Sequence, residues 1–195
     1  MRKIDQIKWV AKALFDRNKV SGSSGNISFK DGDYIYVSNS GSCFGLLNEN
    51  SFSKFDLVGN LLSGKPSKEY PMHLKLYNNA SVNCVIHTHS YYSTLISCVD
   101  KIEEKTDILY SYTPYLRMQT NGNIGVVDYA EPGTEQLFQN FYDKYDEKTK
   151  VYLLKNHGVF VSGEDILKTF YLLEEFEETA RIVNNIENHI YNKIG

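Results

Sequence analysis

The sequence predicts a single α/β layered domain, residues 1–195, with a mostly antiparallel or mixed central sheet flanked by helices. Three observations carry this prediction. Strand-like apolar runs and amphipathic helical stretches are interspersed without a strict βαβ alternation. Two hairpin signals, Asp31-Gly32-Asp33 and Gly59-Asn60, join neighbouring strand runs. The 195 residues are 42% hydrophobic and 23% charged, an ordinary globular composition. A chain of this length buries roughly 70% of its unfolded surface and needs no disulfide or metal staples.

Ile4, Ile7, Val10, Ala11, Leu14 and Phe15 recur at helical spacing, so the chain opens with an amphipathic helix that stops near Asn18. After the small-residue run Ser21 to Asn26, Ile27-Ser28-Phe29 and Tyr34 to Val37 form the first strand pair. Phe55 to Val58 and Leu61-Leu62 form the second. Ser67 is the expected cap of the next helix, with Pro71 in its first turn and Asn78-Asn79 at its end. Val82 to His89 reads as a buried strand and Tyr91 to Cys98 as a helix, whereas residues 101–123 carry no clear period. Gly125 to Tyr129 is a short strand, and Pro132-Gly133-Thr134 opens a helix through Tyr145. Val151 to Leu154 and Val159 to Val161 are strands around Asn156-His157-Gly158. A long helix with Ile166, Phe170, Leu173, Phe176, Ala180, Val183 and Ile186 on one side follows.

Composition removes several function classes. With 21 basic against 24 acidic residues the net charge is −3 and the pI about 6.0, which leaves no dense basic face for nucleic acid. Charges scattered through Met1 to Lys8 break any signal-peptide core, and no apolar run approaches the ~20 residues of a membrane span. A soluble cytoplasmic protein is expected. Cys43, Cys84 and Cys98 are odd in number and lack Cys-x-x-Cys spacing, so all three are expected to be reduced packing residues.

Five histidines remain: His73, His87, His89, His157 and His189. On a strand, His87 and His89 project from the same face, and His157 sits in a tight turn after another strand. Three neutral imidazoles suit a divalent borderline metal, and a three-histidine site with an open position is the catalytic zinc pattern. A His-x-His pair also serves as partly buried hydrogen bonders. Glu69, at the start of the helix leading into the histidine strand, either ligates the metal or acts as acid/base beside it; it also suits a plain first-turn position. The turns Ser23-Ser24-Gly25-Asn26, Ser40-Gly41 and Ser67-Lys68 offer amides, hydroxyls and an ammonium for a phosphate, or are simple turns. His73 is expected to be a structural helix residue and His189 an exposed one.

Four motifs then occur in order: Ser23-Ser24-Gly25-Asn26-Ile27-Ser28, Ser67-Lys68-Glu69-Tyr70-Pro71-Met72-His73, Val85-Ile86-His87-Thr88-His89-Ser90 and Leu154-Lys155-Asn156-His157-Gly158. With Tyr129 to Thr134 and the terminal helix, the sequence resembles the class II aldolase/adducin superfamily over nearly its whole length. The resemblance implies a catalytic Zn2+, or another divalent metal, on His87, His89 and His157. It makes Glu69 the acid/base group and a metal ligand when substrate is absent. It places Ser24, Gly25, Asn26, Ser40, Gly41 and Ser67 at a substrate phosphate, and it implies a homotetramer. Lys68 before Glu69, with Phe44 to Leu47 and Thr113-Pro114-Tyr115, looks most like the 3-oxo-tetronate 4-phosphate decarboxylase branch. The implied activity is a zinc-dependent carbon–carbon lyase that passes through an enediolate, and Lys68 would attract a substrate anion. Alternatives are a fuculose-phosphate-type aldolase, a dehydratase or 4-epimerase, and a non-catalytic adducin-like binding module.

Overall fold

Alternation along the central strands decides the architecture. The computed structural model describes residues 2–186. The first half comprises α1 (Lys3–Asp16), β1 (Asn26–Asp31), β2 (Tyr34–Ser38), β3 (Phe52–Asp56), β4 (Leu61–Ser63), α2 (Tyr70–Leu76) and β5 (Cys84–Thr88). There follow α3 (Tyr91–Ser97), α4 (Tyr115–Thr120), β6 (Gly125–Val127), α5 (Glu135–Lys144), β7 (Val151–Leu154), β8 (Gly158–Gly163) and α6 (Ile166–Asn185). The strands form one sheet in the order β4-β3-β2-β1-β5-β8-β7-β6. Every pairing is antiparallel except β6 with β7, so the sheet is mixed, as the sequence predicts.

Because successive strand side chains point to opposite faces, the fully buried strands β5 and β7 and the almost wholly buried β8 feed two cores. Ile86, Leu153 and Val159 join Ile7 and Leu14 of α1 and Phe170 and Phe176 of α6 on one face. Val85, Tyr152 and Phe160 join Met72 and Leu76 of α2 and Phe138 and Phe141 of α5 on the other. Each fully buried Leu, Ile or Phe contributes roughly 1.5–3 kcal/mol relative to exposure. His87 follows the alternation of Val85 and lies on the α2 side, stacked on Phe160 at 4.2 Å between centroids.

Several local expectations need correction. Glu69, not Ser67, is the N-cap residue of α2, and its side chain makes no capping bond. Ser67 instead accepts a hydrogen bond from Asn26. The helix ends at Leu76, ahead of Asn78, and β5 stops at Thr88, so His89 lies just beyond the strand. Cys84 is buried, but Cys43 is only partly covered and Cys98 is exposed, so only one of the three is a core packing residue. Residues 101–123 form 3-10 turns at Ile102–Glu104 and Thr106–Tyr110, followed by α4. Such short pieces have no helical period for a sequence to display. α6 starts where Asp165 accepts from the amides of Leu167 and Lys168, both at 3.0 Å. His189 lies outside the described residues. No helix among the described residues is long and apolar enough to cross a membrane.

Candidate metal and catalytic site

Three chain segments meet at one end of the sheet: the end of β5, the β7–β8 turn and the start of α2. Asn156 takes a left-handed conformation, φ 55°, and turns the chain between β7 and β8. Gly158 then passes so close to β5 that an added Cβ would lie 2.3 Å from the Thr88 carbonyl oxygen. Only glycine allows that approach, which carries the ring of His157 to that of His89. Gly25, with φ +75°, packs likewise against the His87 carbonyl; a Cβ there would sit 2.7 Å from the oxygen.

The result is a convergence of nitrogens. His89 Nε2 lies 2.9 Å from His87 Nε2 and 3.0 Å from His157 Nε2. Glu69 places Oε2 3.2 Å from His87 Nε2 and Oε1 3.3 Å from His157 Nε2. One donor atom from each of these four residues falls within 4.8 Å of all the others. His87 Nδ1 donates to the Val159 carbonyl at 3.0 Å, which makes its Nε2 a bare lone pair. Burial holds the pKa of His87 well below the usual histidine value, and the neighbouring rings of His89 and His157 add to this. Burial lowers His89 and His157 in the same direction, with Glu69 opposing it at His157. All three rings therefore favour the neutral form that binds metal.

This donor set fits a divalent cation. His87 Nε2 is a lone pair aimed into the cluster, and a cation there would let the Nε2 atoms of His89 and His157 turn lone pairs towards the same point. The buried Oε1 of Glu69 has no hydrogen-bond partner among the described residues. Three imidazoles with one carboxylate form a borderline N/O set suited to a catalytic metal.

Other residues fix the chain segments that carry these side chains. Glu177 of α6 is buried and accepts from Ser90 Oγ (2.8 Å), Tyr92 N (3.1 Å), Ser93 N (2.9 Å) and the Ser93 hydroxyl. It thereby fixes the chain directly after His89 and satisfies the first amides of α3. Lys155 binds Asp128 at 2.8 Å and Glu103 at 2.9 Å, tying down the start of the His157 turn.

The small-residue turns expected at a substrate phosphate border this cluster through Asn26 and Ser67. Ser40 N donates to Lys65 O at 2.9 Å and Ser67 N to Ser38 O at 3.0 Å, joining the Ser40-Gly41 turn to Ser67-Lys68. Among the described residues the amides of Gly25 and Gly41 have no hydrogen-bond acceptor. The Ser24 hydroxyl is engaged in its own turn, donating to Ser21 O at 2.7 Å. Lys68 is exposed, its stem lying on Gly133, where a Cβ would be 3.1 Å away. Asn26 is buried beneath Glu69, and its Nδ2 donates to Glu69 Oε2 and Ser67 Oγ, both at 3.0 Å.

The aldolase and adducin N-terminal pattern spans residues 5–183. The chain belongs to the class II aldolase and adducin N-terminal domain family. It is 38% identical over 182 residues to an L-fuculose phosphate aldolase of Methanococcus maripaludis, covering 91% of this chain and 96% of the relative. It is 36% identical over 183 residues to a 3-oxo-tetronate 4-phosphate decarboxylase of Escherichia coli K12, covering 92% and 84%. The crystal structure of YgbL from Escherichia coli superposes with a TM-score of 0.87 at 31% identity, covering 98% of this chain and 93% of that one. The family supports a lyase, and the histidine and glutamate cluster is one that could hold a divalent metal.

Sequence reading gave no site role to the residues behind the cluster: Glu177, and the buried Ser28 and His73 and part-buried Tyr77 that connect to Asn26. A signal existed for the last group. Glu69, His73 and Tyr77 are spaced by four, which places them along one side of a helix.

Proposed function

We propose that the chain is a zinc-dependent carbon–carbon lyase that decarboxylates a 3-oxo-tetronate 4-phosphate to dihydroxyacetone phosphate. The observation carrying this reading is the pairing of a buried carboxylate, one oxygen of it free, with three converged neutral imidazoles. His87, His89 and His157 would hold the cation, joined by Glu69 before substrate arrives. When bound, such a cation supplies Lewis-acid stabilisation of negative charge developing on a substrate oxygen.

The protein's own residues provide the rest. The free amides of Gly25 and Gly41 and the hydroxyls of Ser40 and Ser67 orient the substrate phosphate beside Glu69. Lys68, at the exposed rim, attracts the substrate's anionic groups. As the carboxylate leaves as CO2, its bonding pair passes towards the adjacent ketone and forms an enediolate. Glu69 in its acid form then delivers a proton from Oε1 to the carbon that lost CO2, and the ketone is restored. The same residues would serve retro-aldol cleavage, and the 38% identity to an archaeal L-fuculose phosphate aldolase favours that as the second reading. A homotetramer, with exposed Tyr91, Leu95 and Tyr115 available for contacts, belongs to the same proposal.

The test is turnover by zinc-loaded protein of a panel containing a 3-oxo-tetronate 4-phosphate and L-fuculose 1-phosphate, with product identification. Release of CO2 and dihydroxyacetone phosphate from the first compound supports the decarboxylase. Aldehyde release from the second, with no CO2 from the first, would replace it with the aldolase. Glu69→Gln should lower turnover by about 10²–10⁴-fold; unchanged turnover would remove Glu69 from the chemistry.

A further inference from the structure

We propose that Tyr77, Ser28, His73 and Asn26 form a hydrogen-bond chain of fixed direction that positions Glu69, holding one carboxylate oxygen and leaving the other to handle the proton. The inference rests on the reading of Glu69 as the acid/base group. It makes His73, Ser28 and Tyr77 positioning residues, and it gives the Asn26 side chain a role facing the carboxylate.

Geometry sets the chain up. Glu69, His73 and Tyr77 recur every four residues along α2, a rise of about 6 Å per step. Asn26 and Ser28 recur every two residues on β1, about 6.7 Å apart. The two repeats nearly match, so the side chains interleave in the order Glu69, Asn26, His73, Ser28, Tyr77. Asn26 stands opposite His87 and Ser28 opposite Val85 in the β1–β5 register, which fixes both on the α2 side of the sheet.

The direction follows from the protons. A carboxylate oxygen only accepts, so Asn26 must turn Nδ2 towards Glu69 Oε2, and the second Nδ2 proton goes to Ser67 Oγ. Asn26 Oδ1 then faces His73 Nε2, which must carry a proton. His73 is wholly buried and neutral, so Nδ1 is a lone pair and accepts from Ser28 Oγ at 2.8 Å. The remaining lone pair of Ser28 accepts from the Tyr77 hydroxyl at 2.9 Å. Reversing any link sets two lone pairs face to face, or turns the Asn26 carbonyl onto a carboxylate. The carboxylate thus sets the direction of every link, and Tyr77, four side chains away, closes the far end by donating to Ser28 and so supports the order that runs to Glu69. Glu69 Oε2 is held, and Oε1, beside His157, is the oxygen with no partner.

A double-mutant cycle between Tyr77→Phe and Glu69→Gln tests this, with kcat, KM, bound zinc and Tm measured on the panel compound that is turned over. Tyr77→Phe should lower kcat about tenfold, leave KM within about twofold and leave zinc stoichiometry unchanged. In the Glu69→Gln background the same substitution should change the residual rate less than twofold, because the effect acts through Glu69. His73→Gln, whose amide can still donate to Asn26, should retain more kcat than His73→Leu. Equal fold-losses of Tyr77→Phe in both backgrounds would overturn the chain while leaving the proposed function standing. So would a lowered Tm with parental kcat in both Tyr77→Phe and His73→Leu. Parental turnover in Glu69→Gln would overturn the function reading and the chain together.

Discussion

The two faces of the sheet are built from the same strands and differ in kind. Towards α1 and α6 the strands present Ile27, Phe29, Cys84, Ile86, Leu153 and Val159, and the helices answer with Ile7, Leu14, Phe170 and Phe176. Towards α2 the same β1 and β5 present Asn26, Ser28 and His87, answered by Glu69 and His73. Polar groups on that face are tolerated because nearly all are paired, and the leading exceptions, Glu69 Oε1 and His157 Nδ1, lie in the histidine cluster. Both faces carry an apolar core, and the α2 face also gives part of its area to a preorganised polar site.

Two truncations test that division most severely. Phe176→Ala, on the apolar face, should cost about 3–5 kcal/mol of unfolding free energy and leave zinc stoichiometry in the folded protein unchanged, as urea titration and metal analysis would show. His89→Ala removes a side chain that is solvent-exposed overall but desolvated at the Nε2 edge, which faces two other nitrogens. It should abolish stoichiometric zinc while shifting the metal-free protein's stability by only about 0.5 kcal/mol. A full zinc complement in His89→Ala would dissolve the contrast.

Gly158→Ala sharpens it at the junction. The new Cβ would fall 2.3 Å from the Thr88 carbonyl oxygen, so the β7–β8 turn must retreat from β5 and take His157 with it. A destabilisation of about 1–3 kcal/mol should accompany a loss of zinc affinity of roughly 10–100-fold. Calorimetry and competition with a chelator would report the two separately. An affinity equal to that of the parent would show that the turn does not set the position of His157.

Much of this was readable before any coordinates. Hydrophobic period locates α1, α5 and α6, and Asp31-Gly32-Asp33 marks the β1–β2 turn, because burial on one face imposes a repeat that the chain cannot avoid. His87 and His89 are legible as a pair from their spacing of two on a strand, whereas His157 lies 68 residues from His89 and no local period encodes their meeting. Ser67 misled because a serine before a proline-bearing turn satisfies capping chemistry, yet here its oxygen is occupied by Asn26. Cys98 misled because cysteine is so often buried, while the C-cap position of α3 faces outward. The positioning chain behind Glu69 escaped because its signal is a coincidence of two periods, four on a helix and two on a strand, in residues 43 to 49 positions apart.

The smallest expected effect separates His73 from the apolar residues around it. Burial lowers its pKa to about 3 in the folded protein, against about 6.5 when unfolded. Above pH 6.5 the ring is neutral in both states and contributes no pH dependence. Below it the unfolded chain takes up a proton that the folded chain refuses, so stability falls with falling pH, by up to about 1.4 kcal/mol per unit for this one group, until the pH nears 3. Urea midpoints of metal-free protein between pH 6.5 and 5 should therefore decline, and His73→Leu should show a shallower decline than the parent whatever its absolute stability. Equal slopes would mean that His73 is protonated in the fold. Its Nδ1 would then be a donor where Ser28 needs an acceptor, and the direction of the chain running to Glu69 would be lost.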